Sequence, residues 1–147
     1  MRIAFFGTPD FAVPTLTALL RSRHHILGVI TQPDEPKGRG QRMSTPPVKV
    51  HALGENIDVL QPGDMKDAAL LDALNRWQPD ACVVIAFGRI LPRQILNIPR
   101  LGCVNLHGSL LPKYRGAAPI QWAICNGEVG TGVTSMLMDQ GMDTGPI

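Results

Sequence analysis

The chain has 147 residues, 44% hydrophobic and 18% charged, enough for one domain with one core and too short for two. Fourteen basic and 12 acidic residues leave a net charge of +2, which excludes a polybasic nucleic-acid coat and an acidic disordered tail. The longest apolar runs, such as 81–87, are too short to cross a membrane, and Cys82, Cys103 and Cys125 form no close pair that would suit a disulfide scaffold or a zinc knuckle. The cysteines read as buried thiols in a reducing compartment. Met1 and Arg2 lead directly into an apolar run with no secretory leader, so the expected location is the cytoplasm.

Residues 2–6 read as a strand, and 7–10 as a turn in which Asp10 is placed to cap a helix. Phe11, Val13, Leu16, Leu19 and Leu20 then recur near helical spacing. Residues 25–31 form a second strand. Segment 32–47 holds four of the 13 prolines and shows neither strand nor helix period, so it is expected to be a long functional loop. One or two helical turns follow at 48–53, a short strand at 57–60, and a helix at 67–76 with Leu70, Leu71 and Leu74 on its apolar face. The unbroken apolar run 81–87 suits a strand buried on both faces of a parallel sheet. A short helix at 91–98, a strand at 102–106, a helix at 116–125 and a strand at 132–138 complete the series.

This alternation predicts an α/β fold, an open, mostly parallel sheet with helices on both faces and right-handed crossovers. Such sheets bind ligands beyond the carboxyl ends of their strands, so the segments after each strand carry the information. After the first strand, Gly7-Thr8-Pro9-Asp10-Phe11-Ala12 has one glycine where a dinucleotide fingerprint needs three, and a plain turn fits better. From 37 to 49 stand Lys37, Arg39, Arg42 and Lys49 with no acidic residue among them. Cations on such a loop suit a phosphate backbone, and by charge alone a solvated loop suits equally. Asn105 and His107, two apart on a strand, project to one face with Leu106 on the other. An amide beside an imidazole can stabilise an oxyanion and move a proton; the alternative is an asparagine turning a corner and a histidine satisfied by backbone. Asp139 and Asp143 follow the last strand on a glycine-rich turn that offers too few oxygens for a metal. No nucleophile elbow is present, and Ser109 is near His107 in sequence only. The residues alone support non-covalent carbonyl chemistry beside a basic loop.

The run Asn105-Leu106-His107-Gly108-Ser109-Leu110-Leu111-Pro112-Lys113-Tyr114-Arg115-Gly116 resembles the signature of the folate-dependent formyltransferases. Asp143-Thr144-Gly145-Pro146 resembles their later aspartate motif. Phe6-Gly7-Thr8-Pro9-Asp10-Phe11-Ala12, Pro33-Asp34, Gly38-Arg39-Gly40, Pro47-Val48-Lys49 and Arg115-Gly116-Ala117-Ala118-Pro119-Ile120-Gln121-Trp122-Ala123 narrow the likeness to the bacterial branch that acts on initiator methionyl-tRNA.

The resemblance implies a Rossmann-like formyltransferase fold and transfer of a formyl group from 10-formyltetrahydrofolate, as co-substrate and without a metal, to the amino group of methionine on the initiator tRNA. It implies Asn105, His107 and Asp143 as the catalytic group. It implies Ala86, Phe87, Gly88, Arg89, Ile90 and Leu91 as one wall of a folate pocket, closed by Asp139 and Gly141. It implies Lys37, Arg39, Arg42 and Lys49 as tRNA contacts, in a monomeric enzyme. Residues 1–147 are then a catalytic domain incomplete at its C-terminal side, lacking the tRNA-contacting domain, so weak or no transfer is expected of this chain alone. Three rival readings follow: a formyltransferase for glycinamide ribonucleotide or an amino sugar nucleotide, a formyl-folate hydrolase using water as acceptor, and a non-catalytic RNA-binding fragment.

Overall fold

Ile3, Ala4, Phe5 and Phe6 are all buried in strand β1 (Arg2–Gly7). A strand with no solvent face has to be covered on both sides, and the rest of the chain supplies that cover. The computed structural model describes residues 1–38 and 40–147, with Lys37 described through its backbone.

After β1 a 3-10 turn (Asp10–Ala12) leads into α1 (Val13–Leu20), and β2 (His25–Ile30) follows. A small hairpin, β3 (Glu35–Lys37) and β4 (Arg42–Ser44), precedes α2 (Pro47–Gly54), β5 (Val59–Leu60) and α3 (Ala68–Trp77). The chain then forms β6 (Ala81–Ile85), α4 (Arg93–Leu96), β7 (Cys103–His107), α5 (Pro119–Cys125) and β8 (Thr134–Leu137). The main sheet has the order β5-β2-β1-β6-β7-β8. Its pairs are parallel except the last, where β8 runs antiparallel to β7 with Asn105 opposite Met136 and His107 opposite Thr134.

Alternating strand residues feed two separate cores. Ala4, Phe6, Cys82, Val84 and Cys103 face Leu70 and Leu74 of α3 and Ile95 of α4. Phe5, Val29 and Ile85 face Leu16 of α1 and Val48 and Ala52 of α2, with Leu106 packed at the edge. Each fully buried Leu, Ile or Phe in these layers contributes about 1.5–3 kcal/mol. Gly28 of β2 is a glycine because the Trp77 ring lies where its Cβ would stand. Asp67 caps α3, accepting from the Ala69 amide at 2.9 Å, and Gln78 ends the helix in the left-handed region at φ 45°.

Four expectations need correction. Segment 32–47 contains the antiparallel hairpin, with Pro36 opposite Met43. Its strands are three residues long and its β4 side chains are largely exposed, so no hydrophobic alternation announces them. Asp10 does not cap α1: it lies inside the 3-10 turn, and the helix starts on Ala12 with no side-chain cap. Cys125 is exposed, whereas Cys82 and Cys103 are buried side by side on β6 and β7. The strand at 81–87 stops at Ile85 because Ala86 turns to φ 44°. Among the described residues no helix is long and apolar enough to cross a membrane.

Candidate active site

The first wall of the site is built where β6 stops. Ala86 at φ 44° and Gly88 at φ 85° swing the chain off the sheet. Non-glycine residues rarely hold a left-handed conformation unless their surroundings fix it. Here the Phe87 carbonyl accepts from Thr8 Oγ1 at 3.1 Å and Gln32 Nε2 at 3.0 Å, and the Phe87 ring packs edge-on against Phe6 with centroids 5.3 Å apart. Arg89 Nη1 donates to the carbonyls of Pro62 and Gly63 at 3.1 and 2.7 Å. Its charged head is thus spent on the scaffold, and the wall offers the cleft backbone groups and apolar side chains.

The second part sits on β7. Asn105 and His107 share the face that also carries Cys103, while Leu106 packs on the opposite layer, as the two-residue spacing requires. The third part arrives from the opposite direction. Because β8 is antiparallel, the segment after it begins near Cys103, whose carbonyl accepts from the Met138 amide at 2.7 Å. The chain then folds back, and the Leu137 amide bonds the Pro146 carbonyl at 2.8 Å. This return places Asp143, at φ 52°, against both Asn105 and His107.

The Asp143 carboxylate is shared among three groups. Its Oδ1 accepts from Asn105 Nδ2 at 3.3 Å. Its Oδ2 accepts from the Gly116 amide at 2.8 Å and faces His107 Nδ1 at 3.5 Å. The His107 side chain is 7% exposed and that of Asp143 16%, so both are shielded yet reachable. On its other edge His107 Nε2 lies 2.7 Å from the Tyr114 carbonyl. A carbonyl can only accept, so Nε2 carries a hydrogen and Nδ1 is the nitrogen turned to the carboxylate. Ser109 is no nucleophile for this imidazole, since its hydroxyl donates to the Lys113 carbonyl at 2.6 Å.

These parts line one cleft of about 780 Å³, within the range of small-molecule sites. Asn105, His107 and Asp143 line it together with Ala86, Phe87, Gly88, Arg89, Ile90, Leu91, Asp139 and Gly141. The structure therefore brings every expected catalytic and pocket residue to one place. Asp139 itself braces the turn, accepting from the Gly141 amide at 2.9 Å and from Thr144 Oγ1 at 2.8 Å. Sequence reasoning missed Pro9, Phe11 and the start of α5 as cleft walls, and Thr8 and Gln32 as supports. In the sequence Phe11 reads as one more apolar position of the helix; only the fold shows it 38% exposed in the turn before α1.

The four expected tRNA contacts do not behave alike. Arg42 on β4 is exposed and makes no ion pair among the described residues. Lys49 on α2 is engaged internally: its Nζ lies 2.9 Å from each Asp34 oxygen and 2.6 Å from Gln61 Oε1. Gln61 Nε2 in turn donates to Asp34 Oδ1 and to the Gln32 carbonyl, both at 2.8 Å. Hydrogen bonds from Gln61 and then Lys49 hold the Asp34 carboxyl below the usual aspartate range. Arg39 and the side chain of Lys37 lie outside the described residues.

A profile of the formyl transferase family matches residues 1–147. The chain is 56% identical over 145 residues to the methionyl-tRNA formyltransferase of Acetivibrio thermocellus, covering 99% of this chain and 47% of that protein. It is 58% identical over 147 residues to the methionyl-tRNA formyltransferase of Moorella thermoacetica, covering 100% of this chain and 47% of that protein. The chain thus spans about half the length of the curated relatives it matches. Among solved structures, glycinamide ribonucleotide transformylase 1 of Geobacillus kaustophilus superimposes with a TM-score of 0.74 at 28% identity, covering 99% of this chain and 78% of that one. The phosphoribosylglycinamide formyltransferase of Bacillus halodurans shares the fold, with a TM-score of 0.76 at 24% identity, covering 99% and 76%.

Proposed function

The chain belongs to the formyl transferase family, and from that premise we propose that residues 1–147 are the formyl-transferring domain of an enzyme that formylates methionine on initiator tRNA. The observation that carries the reading is the seating of Asp143 between Asn105 and His107 at the cleft. The donor is 10-formyltetrahydrofolate, which carries its formyl carbon on a folate nitrogen. Its flat ring suits a cleft walled by Val84, Phe87, Ile90 and Leu91, with the peptide groups of 86–91 and 139–143 offering donors and acceptors to its polar edge.

The residues divide the work. The amine of methionine attacks the formyl carbon, so negative charge gathers on the formyl oxygen. Asn105 has a second Nδ2 hydrogen beyond the one given to Asp143, and donates it to that oxygen. Asp143 accepts the proton the amine sheds and is paired with His107 Nδ1, which carries a positive charge close to the reacting atoms when both ring nitrogens are protonated. The bond from the formyl carbon to the folate nitrogen then breaks, and that nitrogen takes up the proton that Asp143 received from the amine. Holding two reactants in line supplies several kcal/mol of the barrier reduction, on the order of 7 or more in well-aligned systems.

Two observations favour the tRNA acceptor over a small amine. The relatives at 56–58% identity are named for methionyl-tRNA, while the solved structures that act on glycinamide ribonucleotide stand at 28% and below. The hairpin also carries Arg42 outward, with Lys37 and Arg39 on the same segment. A cationic hairpin suits a phosphate backbone, and the acceptor end of a tRNA is single-stranded and can enter a pocket. Lys49 contributes by anchoring the hairpin. The buried thiols Cys82 and Cys103 fit a reducing cytoplasm.

Calorimetric titration with a non-hydrolysable 10-formyltetrahydrofolate analogue tests the donor half. Micromolar binding is expected, unchanged in His107→Ala. Labelled formyl donor, offered to a full-length form of the enzyme with methionyl-tRNA and with glycinamide ribonucleotide in parallel, tests the acceptor half. Label appearing on the ribonucleotide alone would replace the tRNA reading, and failure of the folded chain to bind the analogue would remove the folate pocket.

A further inference from the structure

Tyr114 makes no contact with the cleft through its ring, yet its carbonyl is the group that bonds His107 Nε2 at 2.7 Å. It can present that carbonyl because its backbone stands at φ 57°. A bulky aromatic residue in that region is strained and stays there only when neighbouring contacts fix it. The contacts run through its hydroxyl. Tyr114 Oη donates to Glu128 Oε1 at 2.7 Å and accepts from Asn126 Nδ2 at 3.2 Å. Glu128 is itself anchored, its amide bonding the Ala123 carbonyl of α5 at 3.0 Å. Lys113 Nζ reaches the same Glu128 oxygen at 2.9 Å from a 66% exposed position, so it adds charge and little fixation.

We propose that Tyr114 and Glu128 are a positioning pair for His107. Glu128 fixes the tyrosine hydroxyl, the fixed side chain holds residue 114 in the left-handed conformation, and the carbonyl so presented keeps the hydrogen on Nε2 and turns Nδ1 to Asp143. The pair touches no reacting atom. Its effect is to settle which ring nitrogen meets the carboxylate. The inference rests on His107 being catalytic, but its signature is spectroscopic and needs no turnover.

Long-range proton–nitrogen NMR of the His107 ring in the 147-residue chain reads the tautomer directly, with the ring signals assigned by their absence in His107→Asn. In the unsubstituted chain Nε2 should carry a hydrogen that is protected from water, whether or not Nδ1 is also protonated. Tyr114→Phe removes one oxygen and keeps the ring and the carbonyl. In it, and in Glu128→Ala, the Nε2 hydrogen should exchange roughly fivefold faster or more, with the two ring nitrogen shifts moving toward a mixed tautomer. Glu128→Gln keeps an acceptor for the hydroxyl and should keep the original signature, as should Lys113→Ala. Ring shifts and protection unchanged in Tyr114→Phe would overturn the proposal. So would an equal disturbance in Lys113→Ala, since that would assign the effect to loop charge. If Glu128→Ala does not fold, Tyr114→Phe alone decides. A His107→Ala enzyme that still transfers formyl groups would remove the catalytic reading and leave the tautomer result standing.

Discussion

At the scale of single residues, Asp143 is the most heavily committed side chain in the cleft. Two oxygens serve Asn105, His107 and the Gly116 amide. Asp143→Asn keeps the shape and removes the charge, so in the proposed mechanism it leaves the amine proton without an acceptor. Transfer measured in single turnover in a full-length form of the enzyme should fall by about 10²–10³, the scale of losing one electrostatic stabiliser, with analogue binding unchanged. A loss below tenfold would place the proton acceptor elsewhere. Asn105 and His107 were legible because two-residue spacing on a strand sets a common face whatever the rest of the chain does. The contact of Asp143 with them was not legible from spacing, because it depends on an antiparallel strand and a chain return that no local pattern encodes. The carbonyl of Tyr114 was invisible for a simpler reason: every residue has one, and only φ selects which carbonyl is used.

At the scale of elements, the hairpin of β3 and β4 is held by a clamp rather than by a core. Met43 is 65% exposed, and the cluster of Lys49, Asp34 and Gln61 joins the hairpin's approach to the ends of β2 and β5. Lys49→Met should lower amide-exchange protection in the hairpin and leave that of β1, β2 and β6 intact. Loss of protection throughout the sheet would show that Lys49 serves the core instead. The clamp also has a pH signature. Because Gln61 and then Lys49 hold folded Asp34 below its ordinary value of 3.8, the clamp's contribution is complete above that value and is lost as pH falls through the lower folded value. Hairpin protection and the Asp34 carboxyl carbon shift should titrate together there. The parallel strands announced themselves as apolar runs since both faces are buried. The hairpin did not, because Pro36 and short polar strands carry no period.

At the scale of the whole molecule, stability is divided between two apolar layers separated by the sheet. Leu74 and Leu16 are fully buried, one in each. Each leucine-to-alanine change should cost about 2–5 kcal/mol in denaturant unfolding. The double variant should cost the sum to within about 0.5 kcal/mol, because distant sites in separate packing environments add. A shortfall larger than that would show the two layers to be one mechanical unit.

Within residues 1–147 β8 pairs with β7 at one side of the sheet, and the segment that follows it delivers Asp143. The cleft wall at 86–91, by contrast, grows from a central strand. Edge elements detach at lower free energy than central ones. Gentle warming of the 147-residue chain should therefore separate two properties that a single melting curve would merge: on the proposed reading, donor binding at the 86–91 wall outlasts the seating of Asp143 against Asn105 and His107. In that chain the Asp143 contacts should loosen before the sheet melts, and should return on cooling.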